Sequence, residues 1–136
     1  MVGYKLATKT ENSEVFNSLI VNNVLVLNTV YMLNKESITP PKMLKNGFGL
    51  FIFGTVEAAK TYKNLCFRED KIALLEVEYD PEDILSTKWI PHLAYCFLTQ
   101  TETIERLMTL HYLASDDYLP NQTIIVSKLI PRREII

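Results

Sequence analysis

Hydrophobic and polar side chains alternate along several stretches of this chain, as they do in a β-strand whose two faces differ. The alternation predicts strands over Val2–Lys9 and Lys71–Tyr79, and β-branched residues predict a last strand over Thr123–Ile130. Pro131 is expected to end the last of these strands, because proline has no N–H group for a sheet hydrogen bond. Leu50–Phe53 is instead a short, continuous apolar run, which is typical of a strand covered on both faces.

Two other stretches show helical spacing. After a turn, Thr55 is a good N-cap, and apolar residues recur every three or four positions as far as Tyr62. A capping box over Thr99–Glu102 precedes a second periodic stretch, which predicts a helix over Thr101–Ala114. Pro81–Leu85 predicts a single helical turn with the proline at its first position.

Two segments leave alternatives open. The preferred interpretation of Glu14–Ile20 is a short helix or an irregular segment, followed by a strand over Val24–Leu27. The same residues also fit a strand that turns at Asn22–Asn23 and returns through Val24–Leu27. Lys35–Asn46 contains adjacent prolines and lysines and predicts a surface connection, with a partner-binding loop as the alternative.

Taken together, these elements predict one compact domain over residues 1–136, because a chain of this length has no room for a second. The hydrophobic fraction of 48% is sufficient for a single core. The order of strands and helices indicates an α+β fold, with a small mixed or mostly antiparallel sheet and two main helices.

The charge and the cysteines narrow the function classes. A net charge of -2 argues against binding to nucleic acid, which usually requires a basic surface. No apolar run reaches the roughly 18 residues of a membrane span, and the first residues lack the apolar run of a signal peptide, so a cytoplasmic location is expected. Cys66 and Cys96 lie far apart in apolar segments and predict buried thiols rather than a zinc site.

The search for catalytic motifs assigns no catalytic residue. The glycines do not have the spacing of a phosphate-binding loop or a dinucleotide fingerprint, and no nucleophile elbow is present. Five carboxylates fall within Glu76–Asp83, but one strand presents them in a row instead of converging on a metal ion. This acidic stretch therefore predicts a solvated edge or a partner for basic side chains, and no metal site is predicted.

A series of short motifs carries a resemblance. The chain has Gly-Tyr-Lys at Gly3–Lys5, a glycine-led aromatic strand at Gly49–Phe53 that leads into a helix ending at Tyr62, and Glu-Val-Glu at Glu76–Glu78. This order resembles an uncharacterised family of small phage and bacterial domains. That family has no established activity, so the resemblance implies an origin in a phage or mobile element and nothing about chemistry.

A wider resemblance rests on Leu75–Asp83 and on the strand–turn–helix that ends at Tyr62. Both are similar to compact ADP-ribosyltransferase-like domains, in which the strand–turn–helix forms part of a nicotinamide pocket. The resemblance implies that fold, with NAD as the cofactor. Where those domains present an arginine or histidine, the first strand here offers only Tyr4, Lys5 or Lys9.

The sequence therefore predicts a non-catalytic binding protein that needs no cofactor and engages a host protein or a nucleotide-like ligand. One alternative is an ADP-ribosyltransferase-like enzyme using NAD, and another is a self-associating structural or assembly component, which would form a homo-oligomer. The residues predicted to bind the ligand lie on the first strand, the strand–turn–helix and the acidic strand: Tyr4, Lys5, Phe53, Thr55, Tyr62, Glu76 and Glu78.

Overall fold

A computed structural model describes residues 1–18, 29–41, 44, 49–64, 69–85 and 123–135. These residues form one helix, α1 (Val56–Asn64), and two 3₁₀ turns, Glu69–Lys71 and Pro81–Asp83. They also form eight strands: β1 (Val2–Lys9), β2 (Val15–Asn17), β3 (Val30–Met32), β4 (Ser37–Ile38), β5 (Leu50–Phe53), β6 (Ile72–Glu78), β7 (Thr123–Val126) and β8 (Lys128–Ile135).

The described strands pair only in the antiparallel sense, in the order β3-β2-β1-β6-β8-β4. Strand β5 pairs with β1 and with β7. The two ends of the main order come together, because residues 33–36 join β3 to β4 and Ser37 Oγ donates a hydrogen bond to the Val30 oxygen at 3.3 Å. The sheet therefore closes almost completely into a barrel.

Both faces of the sheet are buried at its centre. Alternate residues of β1 and β6 point into the barrel or outward beneath α1, as the period of two in a strand requires. The inner cluster includes Phe16, Tyr31, Ile52, Leu75 and Val77. The outer cluster, between the sheet and α1, includes Leu6, Phe53, Ala59, Ile72 and Leu74. Each fully buried Val, Leu, Ile or Phe side chain contributes about 1.5–3 kcal/mol to folding.

The α+β prediction with two main helices is wrong. The described residues form an antiparallel, barrel-like sheet, and α1 is the one α-helix that is described over its whole length. Sequence patterns missed this arrangement because β2, β3 and β4 have only two or three residues each, too few to show alternation. The α+β fold that the ADP-ribosyltransferase resemblance implied is corrected by the same finding. The second predicted helix, Thr101–Ala114, lies outside the described residues.

The longer predicted elements are confirmed. Strand β1 has the predicted bounds, β5 is covered on both faces, and β6 occupies Ile72–Glu78. Helix α1 begins after Thr55, whose Oγ1 accepts a hydrogen bond from the Ala58 N–H at 3.2 Å. Within the described part of the chain, no helix has the length and apolar character that crossing a membrane requires.

Two local predictions are corrected, and a third segment contains a strand that the sequence did not predict. Glu14–Ile20 does not begin a helix, since Val15–Asn17 is strand β2 and pairs with β3. The connection over Lys35–Asn46 contains strand β4, which pairs with β8. Pro131 does not end the last strand: β7 stops before Ser127, and β8 then continues through Pro131.

A bulge explains why Pro131 is tolerated within β8. Pro131 lies opposite Val77 and Arg133 lies opposite Glu76, so Arg132 is the additional residue. The ladder is interrupted at this point, and the missing N–H of the proline is therefore less costly. The alternative turn at Asn22–Asn23 and the return through Val24–Leu27 lie outside the described residues, as do Cys66 and Cys96.

Candidate functional site

Four of the predicted ligand-binding residues lie together on the outer face of the sheet. At one edge of β1, Tyr4 lies directly opposite Phe53 on β5. At the other edge of β1, it lies opposite Glu76 on β6. The Tyr62 ring on α1 packs on Phe53, with 5.4 Å between the ring centroids. This cluster joins the outer core to a charged surface at Glu76.

Glu76 forms a two-pronged ion pair with the neighbouring strand. Arg133 Nε and Nη2 donate to the two carboxylate oxygens of Glu76 at 3.0 and 3.3 Å. The hydrogen bonds from Arg133 lower the pKa of the Glu76 carboxyl, and the same contact raises the pKa of Arg133. The Glu76 carboxylate on this face is therefore already paired with a side chain of the protein.

Thr55, Glu78 and Lys5 have different surroundings. The Thr55 hydroxyl caps α1, which is a structural role. Glu78 lies at the end of β6, where Arg132 Nη2 donates to its carboxylate at 3.0 Å. Lys5 is on the opposite face of β1 from Tyr4, inside the barrel, and is only 3% exposed. The structure does not bring these three side chains into one pocket with the outer cluster.

The surroundings of Lys5 are unusual for a lysine. Its Nζ donates to the backbone oxygen of Phe51 at 2.8 Å and lies 4.0 Å from the centroid of the Phe51 ring. The ring of Tyr31 is 5.4 Å away on another side. Burial lowers the pKa of Lys5 to about 7, because the apolar interior disfavours the ammonium ion. Burial also raises the pKa of Tyr31, and hydrogen bonds with Ser18 and Thr29 offset part of that increase.

The strand arrangement explains how Lys5 reaches Phe51. Along one edge of β1, the described register has β5 at Tyr4 and β2 at Thr8 and Lys9. Lys5, Leu6 and Ala7 lie between these two described pairings, and we call this stretch of β1 the Lys5 split. The Lys5 amine supplies a hydrogen bond to β5 where no ladder bond to β1 is present in the described register.

Strands also diverge beyond Glu78, and there they leave an open cleft. Strand β6 pairs with β8 as far as Glu78 opposite Ile130. The chain then turns away and returns where the Ser127 N–H donates to the Asp83 oxygen at 2.9 Å. The space between has a volume of about 530 Å³, and we call it the acidic cleft. Its lining residues are Met1, Glu36, Glu78, Tyr79, Asp80, Pro81, Glu82, Asp83, Lys128, Leu129 and Ile130.

A short capped turn holds one wall of the acidic cleft in place. Asp80 accepts a hydrogen bond from the Glu82 N–H at 2.9 Å through Oδ1, and its own backbone oxygen accepts one from the Asp83 N–H at 2.9 Å. Pro81 at the first position has its φ angle fixed for such a turn. The wall is therefore positioned by local chemistry that the sequence alone indicated.

The charge of the acidic cleft is strongly negative. Its lining includes five carboxylates, Glu36, Glu78, Asp80, Glu82 and Asp83, and two cations, which are Lys128 and the N-terminal ammonium of Met1. Lys128 lies 4.0 Å from Glu36, and Glu78 is paired with Arg132. In the part of the chain that the structure describes, no cation forms an ion pair with Asp80, Glu82 or Asp83. These three carboxylates are available to a positively charged partner.

Sequence reasoning found only part of this site. It identified the acidic stretch and suggested basic side chains as its partners, but Glu36 and Lys128 come from other elements. No local pattern showed that β6 and β8 would part beyond Glu78. Among the described residues, no group of three or more His, Cys, Asp or Glu side chains is arranged to hold a metal ion.

The described residues thus form a small, nearly closed antiparallel sheet. The open acidic cleft lies at the end of the β6–β8 pair. Comparison of the chain with protein-family models, with curated proteins and with solved structures found no match.

Proposed function

We propose that this chain is a non-catalytic binding protein whose acidic cleft engages a segment of a partner protein that carries basic side chains. The observation that carries the proposal is the open cleft, in which Asp80, Glu82 and Asp83 have no cationic partner in the described part of the chain. The sequence predicts a host protein as the partner and a cytoplasmic location. Both predictions are part of this proposal.

Charge favours a protein segment over a nucleotide in this cleft. A volume of about 530 Å³ would accommodate either ligand. Phosphate groups, however, would lie beside five lining carboxylates, which outnumber the two lining cations, Lys128 and the N-terminal ammonium of Met1, and like charges repel at this range. An ammonium or guanidinium group gains from the same carboxylates, and arginine in particular can donate two parallel hydrogen bonds to one of them.

Exposed apolar side chains near the cleft favour a peptide rather than a free cation. Met1 lines the cleft and is 68% exposed, and Val2 and Ile84 nearby are 50% and 45% exposed. Protein interfaces combine such apolar contacts with a polar rim. We therefore expect the partner segment to have apolar residues next to its basic ones.

Titration calorimetry with defined peptides tests the proposal. The probe is a short peptide with two arginines separated by apolar residues, and a peptide with glutamates in their place is the negative control. We expect heat of binding with the first peptide only, and weaker binding at high salt because exposed charges are screened. The double variant Glu82→Gln, Asp83→Asn is expected to bind roughly tenfold more weakly, since it removes two exposed charge contacts.

The matched control is Glu57→Gln, which removes one carboxylate from the first turn of α1, away from the cleft, and should bind like the wild type. Equal affinity in the wild type and the double variant would show that the cleft is not the binding surface. Binding of ATP or NAD without binding of the basic peptide would instead support the nucleotide-like ligand or the NAD-dependent enzyme. Those alternatives, and self-association, stay predictions.

A further inference from the structure

The wall of the acidic cleft on β8 is the edge of a strand. Strand β6 pairs with β8 only as far as Glu78 opposite Ile130. On its other edge, β8 continues to pair with β4 until Ile38 lies opposite Lys128. In the described part of the sheet, Lys128 and Leu129 therefore have a neighbouring strand on the β4 side and none on the side of the cleft. Both residues line the cleft.

The hydrogen bonds along β8 show which backbone groups face the cleft. The backbone oxygens of Ser127 and Pro131 accept hydrogen bonds from N–H groups in the segments that flank β4, at 2.9 and 2.7 Å. Successive residues of a strand direct their backbone groups to alternate edges. The backbone of Leu129 therefore also faces β4, and that of Lys128 faces the cleft. Lys128 presents an N–H and a C=O there, as an edge strand does.

The opposite wall adds a further backbone donor. Tyr79 and Met1 exchange two hydrogen bonds, at 2.8 and 2.9 Å, so the backbone of Tyr79 faces β1. Asp80 follows in an extended conformation, and its N–H is therefore directed away from β1, towards the cleft. A chain segment that enters the cleft thus meets backbone groups as well as carboxylates.

The side chains of the two walls alternate between an inner apolar face and an outer charged one. Tyr79 and Leu129 are buried in the inner cluster of the barrel. Glu78, Asp80 and Lys128 are exposed. An extended segment beside β8 has the same period of two, so every second side chain faces the carboxylates and those between face apolar surface. The cleft therefore fits a segment in which basic and apolar residues alternate.

We infer that the partner segment binds the acidic cleft as an added β-strand along the Lys128 edge of β8, with basic and apolar residues alternating. This inference rests on the proposed binding function and adds the conformation and sequence pattern of the ligand. Proteins that bind peptides by strand addition gain affinity from backbone hydrogen bonds and specificity from alternate side chains. A helical segment or a free cation would use the carboxylates without the backbone of Lys128.

Titration calorimetry with two peptides of equal composition tests the sequence pattern. The first peptide, Leu-Arg-Leu-Arg-Leu-Arg, alternates, and the second, Leu-Leu-Leu-Arg-Arg-Arg, has the same residues in blocks. We expect the alternating peptide to bind roughly tenfold more tightly, because in an extended conformation only this peptide directs all its arginines to one face. Equal affinities would overturn the predicted alternation.

Hydrogen exchange measured by NMR tests the strand pairing itself. The Lys128 N–H faces the open cleft in the free protein, and a saturating amount of the alternating peptide should slow its exchange at least roughly tenfold, because it then donates to the peptide backbone. The Leu129 N–H is the internal control. It faces β4 with and without the peptide, so its exchange should change little.

Two substitutions at Lys128 separate its N–H from its charge. Lys128→Ala and Lys128→Pro both remove the ammonium group, but only proline also removes the N–H. Because this N–H faces away from β4, proline is compatible with the pairing on that side. We expect Lys128→Ala to bind the alternating peptide more tightly than the wild type, since a competing cation is gone. Lys128→Pro should bind it roughly tenfold more weakly than Lys128→Ala, which corresponds to about one hydrogen bond.

The outcomes distinguish this inference from the proposed function. If the alternating peptide binds and Glu82→Gln, Asp83→Asn weakens it, but exchange at Lys128 is unchanged, the strand pairing is wrong and the proposed function stands. If no arginine-containing peptide binds, both are wrong. If Lys128→Pro does not fold, the exchange measurement on the wild type decides.

Discussion

The described strand pairing is interrupted at two places in this sheet, beside Lys5 on β1 and beyond Glu78 on β6. The Lys5 split is filled by the chain's own amine, which donates to the backbone of β5. The acidic cleft is not filled by any described side chain and retains a volume of about 530 Å³. An interruption in the described pairing thus coincides with a closed interior in one region and with an open surface in the other.

The difference lies in where the charges are placed. In the Lys5 split a single cation is surrounded by aromatic rings and a carbonyl oxygen, and burial lowers its pKa. In the acidic cleft several carboxylates remain in contact with water, which is the usual environment for them. The first arrangement deprives a cation of its charge. The second preserves negative charge on a surface that a positively charged group can enter.

The largest expected effect concerns the stability of the wild type and of Lys5→Met. The folded chain lowers the pKa of Lys5 from 10.5 to about 7, so the unfolded chain binds more protons between these values. The free energy of unfolding should therefore rise with pH, by about 3 kcal/mol from pH 7 to 9.5. Below pH 7 both states are protonated and this contribution no longer changes. In Lys5→Met the rise should be absent.

Urea unfolding at a series of pH values measures this rise, and it should stay below pH 10. Above that value unfolded tyrosines ionise, whereas the buried Tyr31 has a raised pKa and stays neutral, which reduces stability. Lys9→Met is the matched control, since Lys9 lies on the same strand and is 44% exposed. If the free energy of unfolding rises equally with pH in the wild type and in Lys5→Met, the folded chain does not favour the neutral amine of Lys5.

The sequence predicted the long elements because each carries its own pattern. Alternation gave the bounds of β1 and the two faces of β6, and Thr55 marked the start of α1. The burial of Lys5 could not be predicted, since alternation gives its face but not the closure of the sheet around it. Pro131 misled the interpretation because a bulge opposite β6 accommodates it.

The candidate site was predictable only where its residues are adjacent in sequence. The carboxylates from Glu78 to Asp83 were visible as a charged run, and Pro81 indicated the turn that holds them. Glu36 and Lys128 reach the same cleft only because β4 pairs with β8. That pairing joins residues about ninety positions apart, and no pattern within either short segment specifies it.

The second prediction concerns a substitution that would fill the acidic cleft with a side chain of the protein itself. Ile130 is half-buried on the wall formed by β8, and Ile130→Lys would place an ammonium group among the cleft carboxylates. We expect the basic peptide to bind roughly tenfold more weakly, because the new cation competes for the same charges. Calorimetry measures the loss, and Ile130→Met, which adds no charge, should retain the wild-type affinity. Unchanged binding in Ile130→Lys would place the peptide elsewhere.

The smallest effect concerns the exposed ion pair between Glu76 and Arg133, which contrasts with the uncompensated carboxylates of the cleft. Hydrogen bonds from Arg133 lower the pKa of Glu76, so the pair stabilises the fold at neutral pH and is lost as pH falls through that lowered value. Arg133→Gln should raise the pKa of Glu76 towards its ordinary range, with little change in stability because water and salt screen the pair. An NMR titration of the side-chain carboxyl carbon measures the shift.

Arg132→Gln is the matched control, since Arg132 pairs with Glu78 and not with Glu76. If both variants move the Glu76 titration equally, the effect comes from the net charge of β8 and not from the two-pronged hydrogen bond.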